Sequence, residues 1–192
     1  EPFDDFDALK ADAMAVIDEN FRLFLSTGVA HEIDLEEIVW GGVCKDGIPA
    51  LVNPTHLAAS EAGYLDGDEL VFGVEIAGDA RAYPLNMLLW HEIVNDEVGG
   101  VPVAVTYCPL CNTAIVFDRR VKGQQLDFGT TGKLRNSDLV MWDRQTESWW
   151  QQITGEAIVG AMTGTKLTFI PAPLVSWSEF RDAFAEGQVL SR

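Results

Sequence analysis

Basic residues are scarce in this chain of 192 residues: 13 Lys and Arg stand against 30 Asp and Glu, a formal net charge of −17. That balance repels a phosphate backbone, so nucleic acid is excluded as a partner class. Long apolar runs are missing too. No stretch reaches the roughly 18 apolar residues that a membrane-spanning helix needs. Cysteine is limited to three residues. A domain near 150 residues buries about 70% of its unfolded surface, so no disulfide scaffold is needed for folding. There is no internal repeat, low-complexity tract or linker. G-x-S-x-G, H-E-x-x-H and the dinucleotide-binding glycine fingerprint are all absent, which leaves the common hydrolase and dehydrogenase classes without support.

What is present is an ordinary globular composition, with 47% hydrophobic and 22% charged residues, too apolar for a disordered chain. The acidity is uneven. Residues 1–70 hold 16 acidic and three basic residues, whereas six bases gather in the stretch from Arg119 to Arg144. A solvated acidic face that maintains solubility accounts for this, and a high-salt habitat would leave the same mark. The chain opens at Glu1 with no basic stretch followed by an apolar core, so a signal peptide is expected to be absent from it or already removed.

Apolar residues Phe3, Phe6, Leu9, Ala13, Val16, Ile17, Phe21 and Phe24 recur every three or four positions and predict an N-terminal amphipathic helix. Residues 1–40 are thus expected as a helical extension and 41–186 as a β-rich core within one domain. Asn53-Pro54-Thr55 before an Ala-rich stretch suits a helix start. From Glu69 the period falls to two, with a turn at Ala77-Gly78-Asp79 that marks a hairpin. A helix is expected over 85–94, carrying Trp90 and His91. Apolar strands follow over 101–107 and 114–120, then short strands over 139–142, 149–152, 157–159 and 166–170. Ser176 caps a closing helix that ends near Gly187. The class is α+β: mainly an antiparallel barrel or sandwich of short strands, with a helical N-terminus and a C-terminal helix.

The sharpest chemical feature is Tyr107-Cys108-Pro109-Leu110-Cys111. Two thiols three positions apart either close a small redox disulfide or grip one soft metal ion. A thioredoxin-like site needs a helix after the second cysteine to stabilise its thiolate, and Ala114-Ile115-Val116-Phe117 read as strand instead. His91 is the expected third ligand, and a Cys108–Cys111–His91 set suits Cu(I). Zinc is the alternative and asks for a fourth ligand, for which Cys44, His31 or His56 are candidates. Met87, one helical turn before His91, could add a thioether, although core packing explains it as well.

A second candidate is the Gly-rich run from Phe128 to Asp138, whose hydroxyls, glycines, Lys133, Arg135 and Asn136 could hold an anion. Its glycine spacing is not that of a phosphate-binding P-loop, and a plain hairpin connection is the favoured reading. Arg81 and Arg119 are further cations for an anionic substrate. Trp142, Trp149 and Trp150 either wall a pocket or fill the core of a sheet.

Several of these segments resemble one family in order. They are Lys45-Asp46-Gly47-Ile48-Pro49-Ala50-Leu51, Gly73-Val74-Glu75-Ile76, Ala80-Arg81-Ala82-Tyr83-Pro84-Leu85, Trp90-His91-Glu92-Ile93-Val94-Asn95-Asp96, the strand ending in Cys108-Pro109-Leu110-Cys111, Asn136-Ser137-Asp138-Leu139-Val140-Met141 and Thr146-Glu147-Ser148. Together they resemble the bacterial and archaeal domain-of-unknown-function family 3179 over about residues 40–180. The resemblance implies an extracytoplasmic location and a shared site at His91, Cys108 and Cys111, but no established activity. Cys44 departs from the family pattern.

Three function classes follow. The first is a soft-metal, copper-binding protein or metalloenzyme using Cys108, Cys111 and His91, with Arg81, Lys133, Arg135 and Asn136 binding a small, anionic substrate. The second is a metal-free thiol–disulfide oxidoreductase on the same cysteines. The third is a binding module whose cysteines form a structural staple. Nothing in the sequence sets the oligomeric state.

Overall fold

The computed structural model describes residues 28–191. The amphipathic helix expected over the first 27 residues lies outside the described residues. In chain order the elements begin with β1 (Ile38–Trp40), β2 (Leu51–Val52), β3 (His56–Ala58), β4 (Leu70–Ile76) and β5 (Asp79–Pro84). Helix α1 (Leu85–His91) leads into β6 (Ile93–Val98), β7 (Val101–Cys108), β8 (Thr113–Asp118), β9 (Arg120–Val121) and β10 (Gln124–Gln125). The chain continues through β11 (Phe128–Arg135), β12 (Asp138–Asp143), β13 (Trp149–Gln151), β14 (Glu156–Val159), β15 (Thr168–Ile170) and β16 (Leu174–Ser176). Helix α2 (Trp177–Ala183) and β17 (Gln188–Leu190) close it.

Three five-stranded sheets result, ordered β1-β11-β12-β13-β14, β15-β8-β7-β6-β2 and β16-β4-β5-β17-β3, with β9 and β10 as a separate ribbon. Pairing is antiparallel except for β2 with β6 and β17 with β5. Among the described residues no sheet closes into a barrel, so the sandwich form of the expected fold is the one adopted.

The sheets stack in three layers, and β7 at the centre of the middle sheet shows why. Seven of its eight residues are buried, so it reads as a nearly continuous apolar run rather than an alternating one. Ala104 and Cys108 meet Phe128, Leu139, Met141 and Trp150 of the first sheet. Val103, Val105 and Tyr107, which alternate with them, meet Phe72, Val74 and Tyr83 of the third. Each fully buried side chain of this size contributes about 1.5–3 kcal/mol relative to exposure. Trp177 and Phe180 of α2 cover the outer face of the third sheet. The helix starts at a capping box, in which the Ser176 side chain accepts from the Glu179 N–H and Glu179 accepts in return from the Ser176 N–H.

Several local expectations are corrected. The helix expected over 85–94 stops at His91, because Glu92 takes φ 55° and Ile93 opens β6. No helix starts at Asn53-Pro54-Thr55: His56–Ala58 pair with β17, and sheet pairing overrides the Ala-rich helix propensity. Phe128–Arg135 is a strand rather than a loop, paired with β12 across an irregularity between Thr130 and Lys133. Residues 35–40 hold a 3₁₀ turn and β1, and Val29, Ile33 and Leu35 pack on the outer face of the first sheet. Trp150 fills the core between the first two sheets, while Trp142 lies buried beneath Lys45 and Arg144.

Candidate metal centre

Two hairpin ends, one from each of two facing sheets, meet at the rim of the sandwich. Strand β7 carries Cys108 as its last residue, and the connection to β8 holds Pro109, Leu110, Cys111 and Asn112. Asn112 takes φ 48°, its side-chain oxygen accepts from Tyr107 Oη at 2.9 Å, and Thr113 Oγ1 donates to the Cys111 carbonyl at 3.0 Å. These contacts turn Cys111 back over Cys108. From the first sheet, β11 and β12 are joined by Asn136 and Ser137 at φ 52° and 64°, the left-handed pair that a tight two-residue hairpin requires. That turn places Asp138 at the start of β12.

Cys108, Cys111 and Asp138 each present one donor atom, and the three atoms lie within 4.8 Å of one another. Cys111 Sγ is 3.3 Å from Asp138 Oδ1, and Cys108 Sγ is 3.8 Å from the Ser137 carbonyl. Neither cysteine is in a disulfide. Burial pushes the Cys108 thiol up to about 12, and the adjacent Cys111 thiol adds to the rise.

The Asp138 carboxylate is held from behind. Its Oδ2 accepts from Gln151 Nε2 at 2.6 Å and from the Ile153 N–H at 2.9 Å, which leaves Oδ1 facing the thiols. Gln151 Oε1 in turn accepts from Arg135 Nη1 at 3.1 Å, and Arg135 Nε donates to Glu37 at 2.7 Å. A ligating carboxylate fixed by its own hydrogen bonds is the usual arrangement around protein-bound metals. Two thiols, one oriented carboxylate oxygen and a rim position are a donor set that can hold one metal ion.

The other residues singled out in the sequence are spread more widely. His91 ends α1 and stands outside the three-donor cluster, with Nδ1 donating to the Pro49 carbonyl at 2.8 Å. Cys44 is exposed, and His31 Nδ1 lies 3.0 Å from the Ile33 carbonyl. His56 Nε2 lies 3.0 Å from Asp96 Oδ2, between the second and third sheets. Met87 packs against the cluster of apolar residues between those same sheets. Arg81 is bound to Asp79 and Asp96. Although burial pushes the Asp96 carboxyl up, hydrogen bonds from His56, Tyr83 and the Glu97 N–H hold it below the usual carboxylate range. Arg119 is buried against Asp127 and the Asp96 carbonyl. Lys133 is buried within β11, and Asn136 is exposed in the turn. The structure therefore joins Cys108 to Cys111, links Arg135 to them through Gln151 and Asp138, and gathers no cluster of Arg81, Lys133 and Asn136. Asp138 and Gln151 are not among the site residues that the sequence points to. The signal for Asp138 was Asn-Ser between two apolar runs, a hairpin turn that sets the next residue at a strand start.

Fold and site define a three-layer β-sandwich protein with a two-cysteine, one-carboxylate cluster at its rim. Residues 45–192 match the family described as protein of unknown function (DUF3179), and the chain belongs to that family. No curated protein and no solved structure matches it.

Proposed function

We propose that this protein binds one metal ion at Cys108, Cys111 and Asp138, and that the ion is zinc. The observation that carries the reading is the orientation of Asp138, whose Oδ2 is occupied by two donors while Oδ1 faces the thiols. Thiolates alone would suit Cu(I), but a carboxylate in the set favours a borderline divalent ion that accepts sulfur and oxygen together. Arg135 then serves Asp138 through Gln151, rather than a substrate. The high pKa of Cys108 speaks against a metal-free oxidoreductase, because the thiolate is the attacking species and burial withholds it near neutral pH.

Metal-free protein titrated with zinc against a chromophoric chelator is expected to bind about one ion per chain. Cobalt in its place should give thiolate-to-metal charge-transfer absorption. Replacing Cys108 and Cys111 together with serine should abolish both signals, and Asp138→Asn should weaken zinc at least about tenfold. Undiminished metal content in the double serine variant would overturn the proposal.

A further inference from the structure

Gln152 is fully buried, and its side-chain oxygen has no hydrogen-bond partner among the described residues. The orientation of its amide is settled by its surroundings. Nε2 lies 3.2 Å from the Thr113 carbonyl, which can only accept, and 3.0 Å from Thr106 Oγ1, whose own proton goes to the Ile115 carbonyl at 2.7 Å. Nitrogen must therefore occupy that end, and Oε1 is left as a neutral acceptor in a dry interior.

Every anchor of this residue lies beside the metal centre. Thr113 is the cross-strand partner of Cys108. Thr106 sits two residues before Cys108 on the same strand, hence on the same face of the sheet. The Gln152 N–H donates to the Leu139 carbonyl at 3.0 Å, next to Asp138, and the flanking Gln151 and Ile153 both hold the Asp138 carboxylate. Gln152 thus crosses from the first sheet to the second alongside the gap that Asp138 and the cysteines bridge. Buried acceptors in native proteins nearly always have a partner, and an exception beside three metal donors calls for one.

We infer that the Gln152 side-chain oxygen is the fourth donor to the metal, closing the coordination sphere from the protein interior. The inference rests on the metal reading above and adds to it the kind of site. With two thiolates, a carboxylate and an amide oxygen, the ion has four protein ligands and no position for a water or a substrate. Closed four-coordinate sites of this sort hold structure together, whereas catalytic ones keep a position open.

Azide added to the cobalt-loaded protein tests this, because azide binds only where the metal has a free position. Wild-type spectra should be indifferent to azide. Gln152→Ala should retain the thiolate charge-transfer band, bind zinc about tenfold more weakly, and acquire an azide-dependent change in the d–d absorption. Gln152→Leu, close in volume, fills the interior without an oxygen donor and should show the same weakened zinc binding and azide response; this variant decides the matter should the alanine variant fold poorly. An azide response in the wild type, or an alanine variant indistinguishable from it, overturns the assignment of Gln152 and leaves the metal site standing. A leucine variant indistinguishable from the wild type does the same. Failure of the wild type to bind cobalt at all overturns the metal reading and this inference together.

Discussion

Two ionisable groups, the buried Cys108 and the half-buried Glu92, set the chemistry that single residues can reveal. Because the Cys108 thiol is pushed up to about 12, a metal must displace its proton on binding. Zinc affinity should therefore rise with pH across neutrality, as chelator competition at several pH values would show. In metal-free protein, alkylation followed by mass spectrometry should mark exposed Cys44 first and buried Cys108 last. Glu92 is a different case: burial alone pushes its carboxyl up to about 7. The folded state then holds a proton that the unfolded chain releases near its ordinary value of 4.5, so stability is lost as pH rises from there through about 7. Glu92→Gln should remove this loss and gain about 1–2 kcal/mol at pH 8 after allowance for partial solvent contact, with little effect at pH 4. Urea denaturation at the two pH values measures it. Cys108 and Cys111 were legible as a pair because their spacing lies within one turn of chain. Asp138 and Gln152 were not, since their roles depend on which strands face each other across a layer, and no local pattern encodes that.

At the scale of elements, β11 explains why a glycine-rich run reads ambiguously. Gly132 sits at φ +73°, and a Cβ there would lie 2.0 Å from the Val43 carbonyl oxygen; at Gly129 it would lie 2.3 Å from Asp46 Oδ1. The glycines let residues 43–47 lie against the strand, with Asp46 N–H donating to the Thr130 carbonyl at 2.8 Å. Close backbone approach draws on the same glycines as an anion-binding loop or a hairpin connection, the two readings that the sequence offers for this run. Gly132→Ala should cost at least about 2 kcal/mol, read as a shift in denaturation midpoint at constant slope. At α2 the sequence signal was unambiguous, because Ser176 and Glu179 form a capping box whose logic is local. Ser176→Ala should cost about 1 kcal/mol. The α1 boundary shows the reverse: the apolar spacing continued past His91, but pairing of β6 with β7 claimed the residues from Ile93 onward.

For the whole molecule, layers and charge pull in opposite directions. Three stacked sheets bury two apolar interfaces, while a net charge of −17 works against compactness. Raising salt from about 10 mM to about 1 M shortens the screening length from about 30 Å to about 3 Å, so the melting temperature should climb with salt. Scanning calorimetry in sodium chloride checks this, and a flat response would place the acidic groups too far apart to repel. The sandwich class was legible from short, evenly spaced strands. The three-layer stacking was not, because it depends on pairings between segments distant in sequence, such as β17 with β5 and β2 with β6.

The parallel pairing of β17 with β5 also has a kinetic side. Gln188 is aligned with Arg81 and Val189 with Ala82, so the third sheet cannot be completed until the last strand has been brought back across the whole stretch between residues 82 and 188. Cys108, Cys111, Asp138 and Gln152 belong to one shorter stretch whose hairpins form from neighbouring strands. Loop closure slows contacts between distant segments more than contacts between near ones. The metal ligands should therefore be in place while the last strand is still unpaired. Pulsed hydrogen exchange during refolding should protect the amides of β7, β11 and β12 ahead of those of β17, and zinc added at the start should speed the early phase while leaving the late one unchanged.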